Sequence, residues 1–274
     1  MRRMFVAQII ILTSVLLSAC GSQPSTPAPT APAARGAELK VFAASSLSAA
    51  FNALGQSFER ANPDVAVTFT FAGSQQLAQQ IGQGQPADVF ASANTKQMET
   101  VIASGQVVKG SDQIFARNRL VVVYPKTNPA NIKELKDLAK PGIKLVLADK
   151  AVPVGGYALD FLNRAALLPT YGATYSQTVL SNVKSYEQDV KAVLNKVMLG
   201  EADAGIVYTS DIALDQAEAL GRIDIPDDLN TIAVYSIAPI KDSRNAAAKK
   251  FVDYIMSSEA QVVLGKYGFA IAGR

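Results

Sequence analysis

From Glu38 onward the chain alternates short apolar runs with amphipathic stretches of helical period, and this alternation restricts the architecture more than any other feature. The strand-like runs are 39–43, 65–71, 120–124, 144–147, 204–207 and 232–237. The helix-like stretches are 47–62, 75–83, 95–104, 156–167, 188–199 and 243–257. Strand following helix following strand implies sheets with helices on both faces, so the expected class is α/β. Two polar connections, SDQIFARNR (111–119) and IPDDLN (225–230), each precede a strong strand. They suggest a chain that leaves one lobe and later returns to it. The expected division is lobe I at 38–116 plus 233–274 and lobe II at 117–232, with a ligand cleft between the lobes.

The residue types exclude several chemistries. Histidine is absent, which removes a Ser-His-Asp triad, a Cys-His dyad and a His-ligated metal site. The net charge is only +3 with no basic run, so no nucleic-acid partner is expected. The single cysteine, Cys20, cannot form an intrachain disulfide. It ends MRRMFVAQIIILTSVLLSAC, a basic start followed by an apolar stretch from Phe5 to Ala19, which reads as a signal peptide over 1–19. Leu17-Ser18-Ala19-Cys20 resembles a bacterial lipoprotein lipobox, implying cleavage before Cys20 and acylation of that residue. Such a lipid would attach the protein to a membrane without spanning it. Residues 20–37 hold this cysteine and a Pro/Ala/Ser/Thr-rich segment with little apolar bulk, which is expected to be a tether. The expected location is extracytoplasmic.

Several strand-to-helix seams share one character. VFAASSL places Ser45-Ser46 after an apolar run, and FAGSQQLAQQI places Gly73-Ser74 likewise. VPVGGYA puts Pro153 and Gly155-Gly156 before a helix, and QDVKAVL opens another near Val190. GIVYTSD ends a buried strand at Tyr208. A serine at such a corner can be a plain N-cap. The corner is also a natural anion site, because helix starts carry free amides and partial positive charge. In an open α/β sheet these seams lie at the carboxyl ends of strands, where ligands collect. Neutral donors alone suit a fully deprotonated anion, since a protonated one would require an acceptor.

VFAASSL, FAGSQQLAQQI, GQPADVFASA, VPVGGYA, QDVKAVL, GIVYTSD and the terminal KYGF resemble, in order, segments of the periplasmic molybdate-binding proteins of ABC importers. The resemblance runs from residue 39 to about 270. It implies a two-lobed periplasmic-binding-protein fold. The ligand would be molybdate or tungstate, with molybdenum present only as the bound oxyanion and no cofactor. Carried over by position, Ser46 and Ser74 would donate from hydroxyl and amide, Val154 and Val190 from the amide, and Tyr208 from the phenol. Gly73 stands where relatives often carry serine, and Val154 where they often carry alanine. Asp88 and Asp189 would be structural, and Ser45 likewise. The resemblance further implies a monomer that delivers to a membrane ABC permease and is not an enzyme.

Three other readings stay open on sequence. The first is a receptor for another tetrahedral oxyanion such as sulfate, because cavity size is not legible in sequence. The second is a Ser-Lys hydrolase built on Ser181 and Lys184, an S-x-x-K match without partner motifs. The third is an extracytoplasmic sensor or adhesin.

Overall fold

The computed structural model describes residues 37–212 and 218–271. The expected signal segment 1–19, Cys20 and all of the expected tether 20–37 except Ala37 lie outside the described residues.

In chain order the elements are β1 (Ala37–Ala44), a 3-10 turn (Ser45–Leu47), α1 (Ser48–Ala61), β2 (Val65–Ala72), α2 (Ser74–Gly82), β3 (Val89–Ser92) and α3 (Thr95–Ala103). Next come β4 (Gln113–Asn118), β5 (Leu120–Pro125), β6 (Leu145–Ala148), α4 (Pro153–Ala166), α5 (Tyr175–Ser181), β7 (Val183–Glu187) and α6 (Val190–Met198). The chain ends with β8 (Ala204–Tyr208), β9 (Leu220–Asp224), β10 (Ala233–Pro239), α7 (Ala247–Met256), α8 (Ser258–Lys266) and β11 (Ala270–Ile271).

The strands form two mixed sheets, ordered β11-β4-β10-β3-β1-β2 and β7-β6-β8-β5-β9. β1 runs parallel to β2 and β3, and β6 runs parallel to β7 and β8. The parallel strands of each sheet therefore end along one edge of it. β4 belongs to the first sheet and β5 to the second, so the chain crosses at Arg119 and returns between β9 and β10.

β1 shows why the first sheet is covered on both faces. Leu39, Val41 and Ala43 join a core with Phe51, Phe58, Phe115 and Phe251, under α1 and α7. Phe42 points the other way, into a cluster with Leu77, Ile81, Phe90 and Met98 under α2 and α3. A strand buried on both faces reads as a continuous apolar run, as VFAA does. The aromatic cluster interlocks edge to face, with Phe58 and Phe251 centroids 5.2 Å apart at 87°. Such pairs add about 0.5–1.5 kcal/mol beyond the area they bury.

Six elements depart from the sequence expectation. SDQIFARNR is not merely a connection: its central residues are β4, which pairs with β10 and β11. β7 and β9 are edge strands with half-exposed alternating patterns, and their polar residues hide them from a search for apolar runs. β3 has only four residues. α5 and α8 were not anticipated either.

The two crossings are fastened to each other by Asn230, which is 4% exposed. Its Oδ1 accepts from Leu120 N (3.0 Å), and its Nδ2 donates to Leu120 O (2.9 Å) and Ile225 O (3.2 Å). Arg164 Nη1 donates to the Asn230 carbonyl at 2.8 Å. Asn230→Ala would strand these buried groups, and each unsatisfied group costs roughly 1–3 kcal/mol. We expect a loss of roughly 3 kcal/mol, read as a lower urea midpoint with an unchanged slope.

Candidate functional site

Four strand-to-helix corners, two from each sheet, face one small cavity. The cavity is small, with a volume of about 10 Å³, and is lined by Ser45, Ser46, Gly73, Ser74, Val154, Val190 and Tyr208 together with apolar residues. Sites for drug-sized ligands occupy roughly 300–1,000 Å³, so this one is far too small for such a ligand. None of its lining residues is an acid, a lysine or an arginine.

Each corner leaves backbone amides free for a local reason. The amides of a helix's first turn have no intrahelical acceptor. Ser46 lies in the 3-10 turn at the end of β1, and Ser74 is the first residue of α2. Ser74 Oγ accepts from Ala93 N at 3.0 Å. At α4, Pro153 occupies the first turn and has no N–H to give, so the next amide is that of Val154. Asp189 caps α6, its Oδ1 accepting from Lys191 N (2.8 Å) and Ala192 N (3.0 Å), which leaves the Val190 amide uncapped. Helix dipoles add positive potential at all of these ends.

Tyr208 closes β8, and its buried hydroxyl has no protein partner among the described residues. Burial pushes its phenol well above the usual value, with the neighbouring Tyr235 and Tyr157 hydroxyls and the Asp211 carboxyl adding to the rise, so the phenol stays protonated. Its backbone N–H donates to Asp211 Oδ2 at 3.0 Å. Asp211 is 1% exposed and its Oδ1 pairs with Lys191 Nζ at 3.0 Å. Burial raises the Asp211 carboxyl and Lys191 opposes that rise. The carboxylates nearest the cavity are thus turned to other partners.

The two halves touch across the cavity mouth. Gln75 Nε2 donates to the Gln188 carbonyl at 3.0 Å, and Gln76 Nε2 donates to Gln188 Oε1 at 2.8 Å. Gly73 permits this approach, because a Cβ there would lie 2.5 Å from the Gln188 carbonyl oxygen. Ser46, Ser74, Val154, Val190 and Tyr208 are each at most 3% exposed.

All five residues singled out in the sequence therefore line one cavity. Ser45, expected to be structural, lines it as well. Asp88 is a brace: it accepts from Lys40 N (2.8 Å), Ser243 Oγ (2.6 Å) and Asn245 Nδ2 (3.2 Å). Ser181 donates to the Thr178 carbonyl at 2.7 Å and does not line the cavity. Sequence reasoning missed Gln75, Gln76 and Gln188, whose roles depend on a contact between segments over a hundred residues apart. Among the described residues no cluster of acidic or cysteine side chains could hold a metal cation.

The family profile described as bacterial extracellular solute-binding protein matches residues 39–270. The molybdate-binding protein ModA of Mycobacterium tuberculosis is 38% identical over 255 residues, covering 93% of this chain and 92% of that protein. The solved structure of the Azotobacter vinelandii periplasmic molybdate-binding protein superposes with a TM-score of 0.74 at 22% identity, covering 85% of this chain and 99% of that one. The sulfate-binding protein SubI of M. tuberculosis superposes with a TM-score of 0.76 at 18% identity, covering 86% and 88%. At these identities the superpositions establish the two-domain fold, with its cleft between the domains, and leave the anion open. No described helix is long and apolar enough to cross a membrane.

The corner before α4 can be tested by a glycine pair. A Cβ on Gly155 would lie 2.1 Å from the Asp149 carbonyl oxygen, whereas one on Gly156 meets nothing closer than 3.5 Å. Gly155→Ala should cost more than about 2 kcal/mol, and Gly156→Ala should be neutral or stabilising by up to about 1 kcal/mol. Thermal melts of the two variants check this.

Proposed function

The chain belongs to the bacterial extracellular solute-binding protein family, and on that premise we propose that it captures molybdate, and tungstate with it, for delivery to a membrane ABC permease. The observation that carries the reading is the convergence of neutral donors from both sheets on one cavity that no acidic or basic side chain lines. The donors are the hydroxyls of Ser46, Ser74 and Tyr208 and the amides of Ser46, Ser74, Val154 and Val190. Hydrogen bonds to a charged group are worth about 1.5–3 kcal/mol each. After desolvation and association costs, such a set supports micromolar or tighter affinity for a small dianion. The similarity to the M. tuberculosis molybdate-binding protein over nearly the whole chain points to the same ligand.

Binding proceeds by closure. The anion meets the donors of one half, and the other half swings onto it about the crossings at Arg119 and before β10. The closed state is favoured only when both donor sets engage. The Gln75–Gln188 and Gln76–Gln188 contacts form in the closed state. Cys20, lipidated, holds the monomer at the membrane, and the tether supplies reach.

Molybdate and tungstate share charge and shape and are larger than sulfate, so the cavity selects by size. Calorimetric titration of the full chain should give one-to-one binding of molybdate and tungstate, with sulfate and phosphate silent. Tight sulfate binding would make it a sulfate receptor instead. Ser46→Ala combined with Ser74→Ala should weaken molybdate at least about a hundredfold, from two lost charge-assisted bonds, while the far-ultraviolet dichroism stays that of the native fold.

A further inference from the structure

Gln75, Gln76 and Gln188 bridge the boundary between the two halves at one place. At another, the boundary opens as a groove of about 290 Å³. One wall is the start of α3 (94–97), from the half built on the first sheet. The other wall is the loop before α4 and the first two turns of that helix (150–160), from the half built on the second sheet. The groove adjoins the cavity. Val152 and Pro153 line both, and Asn94 directly follows Ala93, which lines the cavity.

The charge of the groove differs from that of the cavity. Whereas no charged side chain lines the cavity, the groove carries Lys96 from one half and Lys150 from the other, both exposed. Neither takes part in an ion pair among the described residues. Lys96 is the second residue of α3, and Lys150 stands three residues before the first of α4. A helix start favours acidic side chains, so a lysine at either place works against its own helix and calls for another reason. Two carboxylates are near. Asp149 does not line the groove, and its Oδ1 accepts from Ala151 N at 2.8 Å. Asp160 does line it, about two turns along α4, which leaves the lining with one net positive charge.

We propose that this groove is the vestibule by which the dianion reaches the cavity, and that Lys96 and Lys150 recruit it there by charge. This rests on the reading of the cavity as an oxyanion site. Neutral donors attract an anion only at close range: a hydrogen bond acts near 3 Å, and the field of a helix start fades within about one turn. A full charge acts over roughly a Debye length, and charge of one sign at an entrance raises the association rate of an oppositely charged ligand. The lysines supply the long-range attraction that the cavity lacks. Because neither lines the cavity, they act on arrival and leave departure nearly alone.

The test is the rate at which the full chain takes up radiolabelled molybdate, followed by quenched flow with an unlabelled chase that also gives the dissociation rate. It is run at about 10 mM and about 1 M ionic strength, where the Debye length is roughly 30 Å and roughly 3 Å. At low salt Lys96→Gln and Lys150→Gln should each slow association about two- to threefold, and the double variant about fivefold. At high salt the difference should shrink below about 1.5-fold, and dissociation should change less than about twofold throughout. Asp160→Asn should act in the opposite sense and speed association at low salt by about 1.5-fold or more. The control pair is Lys144→Gln with Lys250→Gln, which removes the same charge at the other ends of the strands. Lys144 precedes β6, and Lys250 lies in the first turn of α7, after a β10 that runs away from the cavity edge. That pair should slow association less than about twofold. Unchanged association in the Lys96/Lys150 double variant, slowing that persists at high salt, slowing matched by the control pair, or a loss confined to dissociation would each overturn the inference. Wild type that takes up no molybdate would instead remove the oxyanion reading, and this inference with it.

Discussion

Backbone amides at the starts of helices have no partner within the helix, and a buried amide must have one. The structure turns this liability into its working part. Parallel strands in each sheet end along one edge, and the chain turns there into helices whose free amides face the same cavity. Helix dipoles reinforce the amides, and the nearest carboxylates are turned away: Asp189 into the cap of α6, Asp211 onto Tyr208 N and Lys191. A dianion can be favoured there without a counter-charge because partial charges approach it from both halves.

That arrangement demands close backbone approach, and small residues permit it. Gly155 lets α4 start directly against the end of β6, where a methyl group would collide with the Asp149 carbonyl. Gly73 lets the two halves meet at Gln188. Neither glycine has positive φ. Both are required by the space available, and a serine at 73 would obstruct the contact that shuts the mouth.

A second polar layer lies behind the first. Ser46 connects to Tyr235, Tyr235 to Asn118, and Asn118 to Ser210 and Thr209, which follow Tyr208. Asn118 ends β4 at the outward crossing, and Asn230 bonds Leu120 beside it. The same short region carries the chain between the sheets, fastens them and reaches the Ser46 hydroxyl through Tyr235. Buried networks of this kind stabilise only when every member is satisfied, which restricts what can replace any of them.

Local patterns carried much of this protein. Apolar runs revealed the strands buried on both faces, such as VFAA and LVVVY, because burial selects residue types directly. Serine, proline and glycine at seams located the corners, because capping and tight turns have strict local chemistry. β4, β7 and β9 escaped because pairing with a neighbour, rather than their own composition, makes them strands; β7 and β9 are also at sheet edges, which tolerate polar residues. The sequence by itself determined an α/β chain with anion-competent corners and no histidine chemistry. Only the tertiary structure decided that the five corner residues share one cavity, that Gln75 meets Gln188, and that Tyr235 stands behind Ser46. Those are distances between segments far apart in the chain, and local sequence cannot encode a distance that the packing of two sheets creates.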